Sequence, residues 1–174
     1  MAGQTYTYAN VERFRLTVNG TEIEDVTSIT LPDVEHPTTA ISTAGMAGEL
    51  ELPDTAFVNA MTFSVTHNKG KGAEALLASR ATIIVSIARM RYDTAGQEVG
   101  YVNTTYKLIG MHKKTTEGRV ETKNPLSVTD DFSISRFEER VEGKERVFID
   151  VTSGTVREAG ENRTSAVESA LNEQ

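Results

Sequence analysis

The chain has 174 residues, a formal net charge of −7, a pI near 5.0 and no cysteine. The acidic balance argues against binding nucleic acid or anionic membranes by charge attraction. The missing thiols exclude disulfides, Cys-ligated zinc, iron–sulfur clusters and thiol catalysis together. A hydrophobic content of 38% suits one domain over residues 1–174 with a single core, and the charged ends, 1–10 and 172–174, are expected to be mobile.

Short strands separated by turns dominate the pattern. Phe14, Leu16 and Val18 alternate with Arg13, Arg15 and Thr17, which predicts a strand with one buried face. Asn19-Gly20 follows, the dipeptide of a two-residue type I′ hairpin, because both positions tolerate positive φ. A second strand is expected from about Glu22 to Leu31, stopping at Pro32. Pro32, Pro37, Gly45 and Gly48 then punctuate a loop too long for an ordinary connection, and such loops are often functional.

Strand pattern resumes at Glu49, Leu50, Glu51 and Leu52, and again at Met61, Phe63 and Val65. Gly70 and Gly72 introduce Ala73–Arg80, whose Ala and Leu content predicts an internal helix of about two turns. Thr82–Tyr92 is apolar on both faces and reads as a central strand, and Val99–Met111 returns antiparallel after a turn at Asp93–Gly96. Strands at about Phe132–Val141 and Arg146–Val151 flank a turn at Glu142-Gly143-Lys144. Ser165 and Glu168 have capping-box spacing before Leu171, which predicts a short C-terminal helix. No apolar stretch approaches the roughly 20 residues a membrane-spanning helix needs. Met1–Asn10 lacks the basic and apolar runs of a secretory leader, so a soluble product of the cytoplasm is expected.

Candidate chemistry is thin. Asp93-Thr94-Ala95-Gly96-Gln97-Glu98 resembles the switch segment of small GTPases, but that chemistry needs a phosphate-cradling Gly-Lys-Ser/Thr loop, which this chain lacks. The segment reads as a hairpin turn. Gly70-Lys71-Gly72 could meet an anion at a helix start, although a flexible lead-in is the commoner meaning. His36, His67 and His112 lack local metal-site spacing and read as solvated or hydrogen-bonded. Asp130-Asp131 and Glu138-Glu139 are adjacent in strands, so each pair splits across two faces and forms no carboxylate dyad. No enzyme activity, cofactor or metal is expected. Arg136, Glu138 and Arg140 alternate in sign on one face, as either a solvated face or a complementary edge for another subunit.

Two stretches carry a family resemblance. Ser28-Ile29-Thr30-Leu31-Pro32 leads through a polar loop to Ala44-Gly45-Met46-Ala47-Gly48 and an alternating strand. Later, Phe137-Glu138-Glu139-Arg140 passes a Gly143 turn to Val147-Phe148-Ile149-Asp150, then Gly160 and Arg163–Leu171. This order resembles the major tail tube proteins of contractile-tailed phages and phage-derived bacteriocins, over roughly Val26–Leu171.

The resemblance implies a mainly β fold, an antiparallel β-sandwich or half-barrel with one short internal α-helix and a short C-terminal helix. It implies homo-hexameric rings whose strands join into a continuous barrel, stacked into a hollow tube. The implied partners are the tail sheath, baseplate and tail terminator proteins, with phage DNA passing without specific binding and without membrane insertion by this chain. Six copies at −7 give about −42 per ring, which repels a duplex. Pro32, Gly45, Met46, Gly48, Arg136, Glu138 and Arg140 are the expected inter-subunit contacts, and Glu49 and Glu51 the expected lumen residues. Assembly in the host bacterial cytoplasm into a virion tail or tail-like particle follows. A tube of a type VI or extracellular contractile injection system stays open at this point. So does a monomeric β-sandwich binding module, although 6% aromatic content and no Trp leave little for sugar stacking.

Overall fold

The computed structural model describes residues 7–93 and 95–172. The strands are β1 (Thr7–Val18), β2 (Thr21–Glu22), β3 (Val26–Thr30), β4 (Thr38–Ile41), β5 (Leu50–Pro53), β6 (Met61–His67) and β7 (Arg80–Tyr92). They continue with β8 (Glu98–Thr116), β9 (Val128–Val141), β10 (Lys144–Asp150), β11 (Thr155–Glu158) and β12 (Glu161–Asn162), and the chain closes on helix α1 (Ser165–Asn172).

All pairings are antiparallel. One sheet runs β12-β11-β10-β9-β8-β7-β1-β2, and β6 joins it through β9 and carries β3 on its far side. β4 and β5 form a separate two-stranded arm. Strand β9 changes partner midway: Met61–His67 of β6 lies against His67↔Val128 to Met61↔Ile134, and β10 takes over at Asp150↔Arg136.

Alternation dictates the core. Met61, Phe63 and Val65 of β6 are buried while the residues between them are not. Leu16, Val65, Val85, Leu108, Phe132, Ile149 and Val156 join one cluster, although β1, β6 and β11 lie far apart along the sheet. One shared core for distant strands requires the sheet to curl on itself. The sheet does not close, so the expected antiparallel half-barrel is what forms.

The two-residue turns follow their sequences. Asn19 and Gly20 have φ of 50° and 84°, and Glu142 and Gly143 have 50° and 79°. Asp93 Oδ1 accepts from the N–H groups of Ala95 and Gln97, both at 2.9 Å, so the GTPase-like segment is a hairpin turn; Thr94 lies outside the described residues.

Five local expectations change. The predicted strand over Glu22–Leu31 is broken, because Glu24 N–H donates to Lys71 O and Asn68 N–H to Asp25 O, drawing the chain toward the 68–71 loop. Asp25 takes φ of 57° at the break. The internal helix is a 3-10 turn over Ala73–Leu77, and the chain turns extended at Ala78, since Arg80 already pairs with Met111 in β7. The long loop contains β4, while β10 stops at Asp150, one residue short of Val151. Ser165 and Glu168 form no capping box: Ser165 Oγ donates to Asn162 O, and Thr164 supplies the carbonyl that accepts from Glu168 N–H.

Candidate assembly surfaces

The buried polar groups are occupied in holding strands together. His67, His112 and Asp130, remote in sequence, meet where β6, β9 and β8 lie side by side. Lys69 N–H donates to His67 Nδ1 at 3.1 Å, which leaves the ring proton on Nε2 for Asp130 Oδ2 at 2.9 Å. His112 Nε2 reaches Asp130 Oδ1 at 3.1 Å, and the Thr115 hydroxyl donates to the same oxygen. Burial pushes the Asp130 carboxyl up, but hydrogen bonds from Thr115, His67 and His112 outweigh it and hold the group below the ordinary carboxylate range. Local spacing gave no hint of this cluster, because only strand register creates it. His36 is elsewhere, its Nδ1 on Phe57 O at 2.6 Å. Among the described residues no group of His, Asp and Glu is arranged to hold a metal ion.

The adjacent acids separate as strand geometry requires. Asp131 accepts from Ser64 Oγ at 2.5 Å on the opposite side of β9 from buried Asp130. Glu139 is buried beside Tyr106 and Arg146, whereas Glu138 pairs with Arg140 on the outer face.

Arg136, Glu138 and Arg140 do share a face, but β9 lies inside the sheet with strands on both sides, so they cannot form an edge. Arg136 donates to Asp150 Oδ2 through Nε at 3.0 Å and Nη2 at 2.8 Å. Thr152 Oγ1 donates to Asp150 Oδ1 at 2.5 Å. The Thr152 hydroxyl first, then the Ser153 and Thr152 N–H groups and the Arg136 charge, overcome burial and lower the Asp150 carboxyl. Arg136 and Arg157 flank the Phe148 ring at 5.2 and 4.1 Å. Arg136 is thus tied to buried Asp150, and Arg140 to Glu138 on the outer face.

True edges lie elsewhere. β1 pairs with β2 only at Thr17↔Glu22 and Val18↔Thr21, and Leu16 O takes Ile23 N–H. The outer margin of β1 from Thr7 to Arg15 is thus unpaired among the described residues. Among the described residues β3 has β6 on one side only. A cleft of about 520 Å³ between these margins has apolar residues such as Val11, Phe14 and Val26 beside charges of both signs, Arg13 and Arg15 with Glu12, Glu22 and Asp25. Unpaired margins are templates for another chain.

The β4–β5 arm is exposed throughout, including Leu50, Glu51 and Leu52. Gly45 takes φ of 103° in the turn, and neither Gly45 nor Gly48 has an atom within 4 Å of where a Cβ would sit. Met46 is exposed at the tip and Glu49 just precedes β5. Pro32, by contrast, is buried in its own subunit and anchors the root of the loop. Beside that root, Phe57, Val151, Val167 and Leu171 line a groove of about 340 Å³ along α1, whose residues are all exposed.

Comparison with known proteins gives a consistent result. No curated protein matches by sequence. The fold is similar to the sheath–tube complex of an extracellular contractile injection system, PVC, in its extended state, with a TM-score of 0.53 and 12% identity over 75% of this chain and 90% of that one. It is also similar to a chain of the PVC sheath/tube terminator structure, at TM-score 0.55 and 12% identity, over 76% and 96%. The tube-terminating cap structure of the anti-feeding prophage gives 0.53 and 13%, over 74% and 87%. The family model for phage tail tube protein FII matches residues 8–171, and the chain belongs to that family.

Proposed function

We propose that the chain is the repeating subunit of the inner tube of a contractile phage tail or phage-tail-like particle. Six copies close into a ring, and rings stack into a hollow conduit. The observation that carries this reading is the unpaired backbone of β1 in an otherwise well-paired sheet that curls without closing. Such a margin is satisfied when a neighbour supplies the missing strand, and contacts that close by rotation give rings. Family membership supplies independent support.

In this reading Gly45, Met46 and Gly48 at the arm tip touch neighbouring subunits, as does Arg140, while Glu51 faces the lumen; Glu49, the other expected lumen residue, lies just before β5 at the arm tip, beside these contacts. A sheath wraps the tube, a baseplate starts it and a terminator ends it. DNA passes without specific contacts, and assembly takes place in the host bacterial cytoplasm. The role is structural, with no catalytic step. A conduit for protein cargo is the second reading, favoured by the fold shared with the extracellular injection-system structures. Nucleic acid content of purified particles separates the two.

Negative-stain microscopy of concentrated protein tests the tube itself. Hollow rings or tubes are expected, and particles that stay monomeric at every concentration, with or without a baseplate seed, would overturn it.

A further inference from the structure

Besides the groove along α1, two apolar surfaces among the described residues face water. The first is one side of the arm. The register Thr39↔Leu52 and Ile41↔Leu50 puts Ile41, Leu50 and Leu52 on one face, with Ala40 and Glu51 on the other. Leu50 is 47% exposed and Leu52 46%. A lone two-stranded hairpin is marginal in water, so this arm needs a surface to lie on. Its residues 38–53 include two carboxylates, Glu49 and Glu51, and no cation.

The second surface lies where β9 exchanges β6 for β10. The strands fork at Ser135, whose carbonyl accepts from Val151 N–H at 2.9 Å. The fork opens two adjoining depressions of about 360 Å³ each, which share Met111 and Ser135. Met111 is 58% exposed and Val151 52%. Arg80 stands at the rim, with no ion-pair partner among the described residues.

Resting on the tube reading, we infer that the arm of a second copy of this chain docks in this fork. Its apolar face covers Met111 and Val151, and Glu49, free of the strand ladder at the tip, meets Arg80. Apolar character and charge sign match, and the exposed Met111 and Val151 side chains offer the arm an apolar seat. The acidic side of the arm, with Glu51, then stays in water. The contact joins two different patches, so it propagates from copy to copy, as tube growth requires.

The absence of native cysteine makes a direct test clean. In assembled tubes, oxidation of the Leu50→Cys/Met111→Cys double variant is expected to give a ladder of covalent multimers on a non-reducing gel. Each single variant should give no more than dimers. Glu49→Lys is expected to raise the concentration needed for tubes about tenfold, and Arg80→Glu in the same chain to restore it. Tubes without the ladder, or a ladder from Leu50→Cys/Leu171→Cys in its place, overturn the docking and leave the tube reading intact. Tubes from Glu49→Lys at the wild-type concentration remove the charge contact. Wild-type protein that forms neither rings nor tubes overturns both.

Discussion

Buried Asp130 accepts hydrogen bonds from three side chains, one on β6 and two on β8, so a single carboxylate ties both neighbouring strands to β9. Loss of its charge leaves His67 and His112 facing a weaker partner in a buried site. Asp130→Asn is expected to cost about 3 kcal/mol, read from urea midpoints at pH 7. The carboxyl titrates below its unfolded value, so its stabilisation is complete above the unfolded range near pH 4 and is lost as pH falls through the lower folded value. Wild-type protein should therefore lose more stability than Asp130→Asn between pH 5 and pH 2. Parallel curves for the two would remove Asp130 from the acid response. The two outer-face arginines should behave differently from one another. Arg136→Ala leaves the buried Asp150 carboxylate to Thr152 and Ser153 and is expected to cost about 1–2 kcal/mol, Arg136 being partly exposed. Arg140→Glu breaks a surface pair with Glu138 and should move stability by under about 1 kcal/mol while weakening assembly. Denaturation and sedimentation of both variants check the contrast, and equal stability losses would defeat it.

Among the elements, the short 3-10 turn depends on one glycine. Gly72 sits at φ of 85°, and a Cβ there would lie 2.5 Å from Glu22 O. Gly72→Ala is expected to cost about 2 kcal/mol and to loosen Leu76, which the turn delivers to the core. Faster amide exchange over residues 73–77 would register it, and unchanged exchange would contradict it. The same turn shows why parts of the fold were not legible. Ala and Leu favour a helix through Arg80, but pairing of β7 with β8 claims Arg80, and no local signal reports a partner strand. The break at Asp25 has the same cause, since its hydrogen bonds run to residues 68–71. Strands β7 and β9 and both two-residue turns were legible because side-chain alternation and positive-φ residues act locally. The His67–Asp130–His112 cluster was not, because register across three strands creates it. The outer-face charges could be seen in sequence, but an interior strand and an edge strand read alike there.

At the scale of the whole molecule, the arm is separable from the core. None of its residues joins the hydrophobic cluster, and Asp54 N–H closes its base onto Pro37 O at 2.8 Å. Replacing residues 38–53 with a short Gly-Ser link should leave the melting temperature within about 3 °C and abolish tubes. A large fall in melting temperature would show that the arm supports its own subunit instead.

The unpaired margin of β1 also bears on how a ring is completed. A copy that covers the β1 margin of its neighbour presents an identical margin of its own, so an open arc of any length is as hungry for a strand as a monomer. Only circular closure removes the last exposed ladder. Partial arcs then gain less per subunit than finished circles, and a sedimentation profile should hold free subunits and complete rings with little between them.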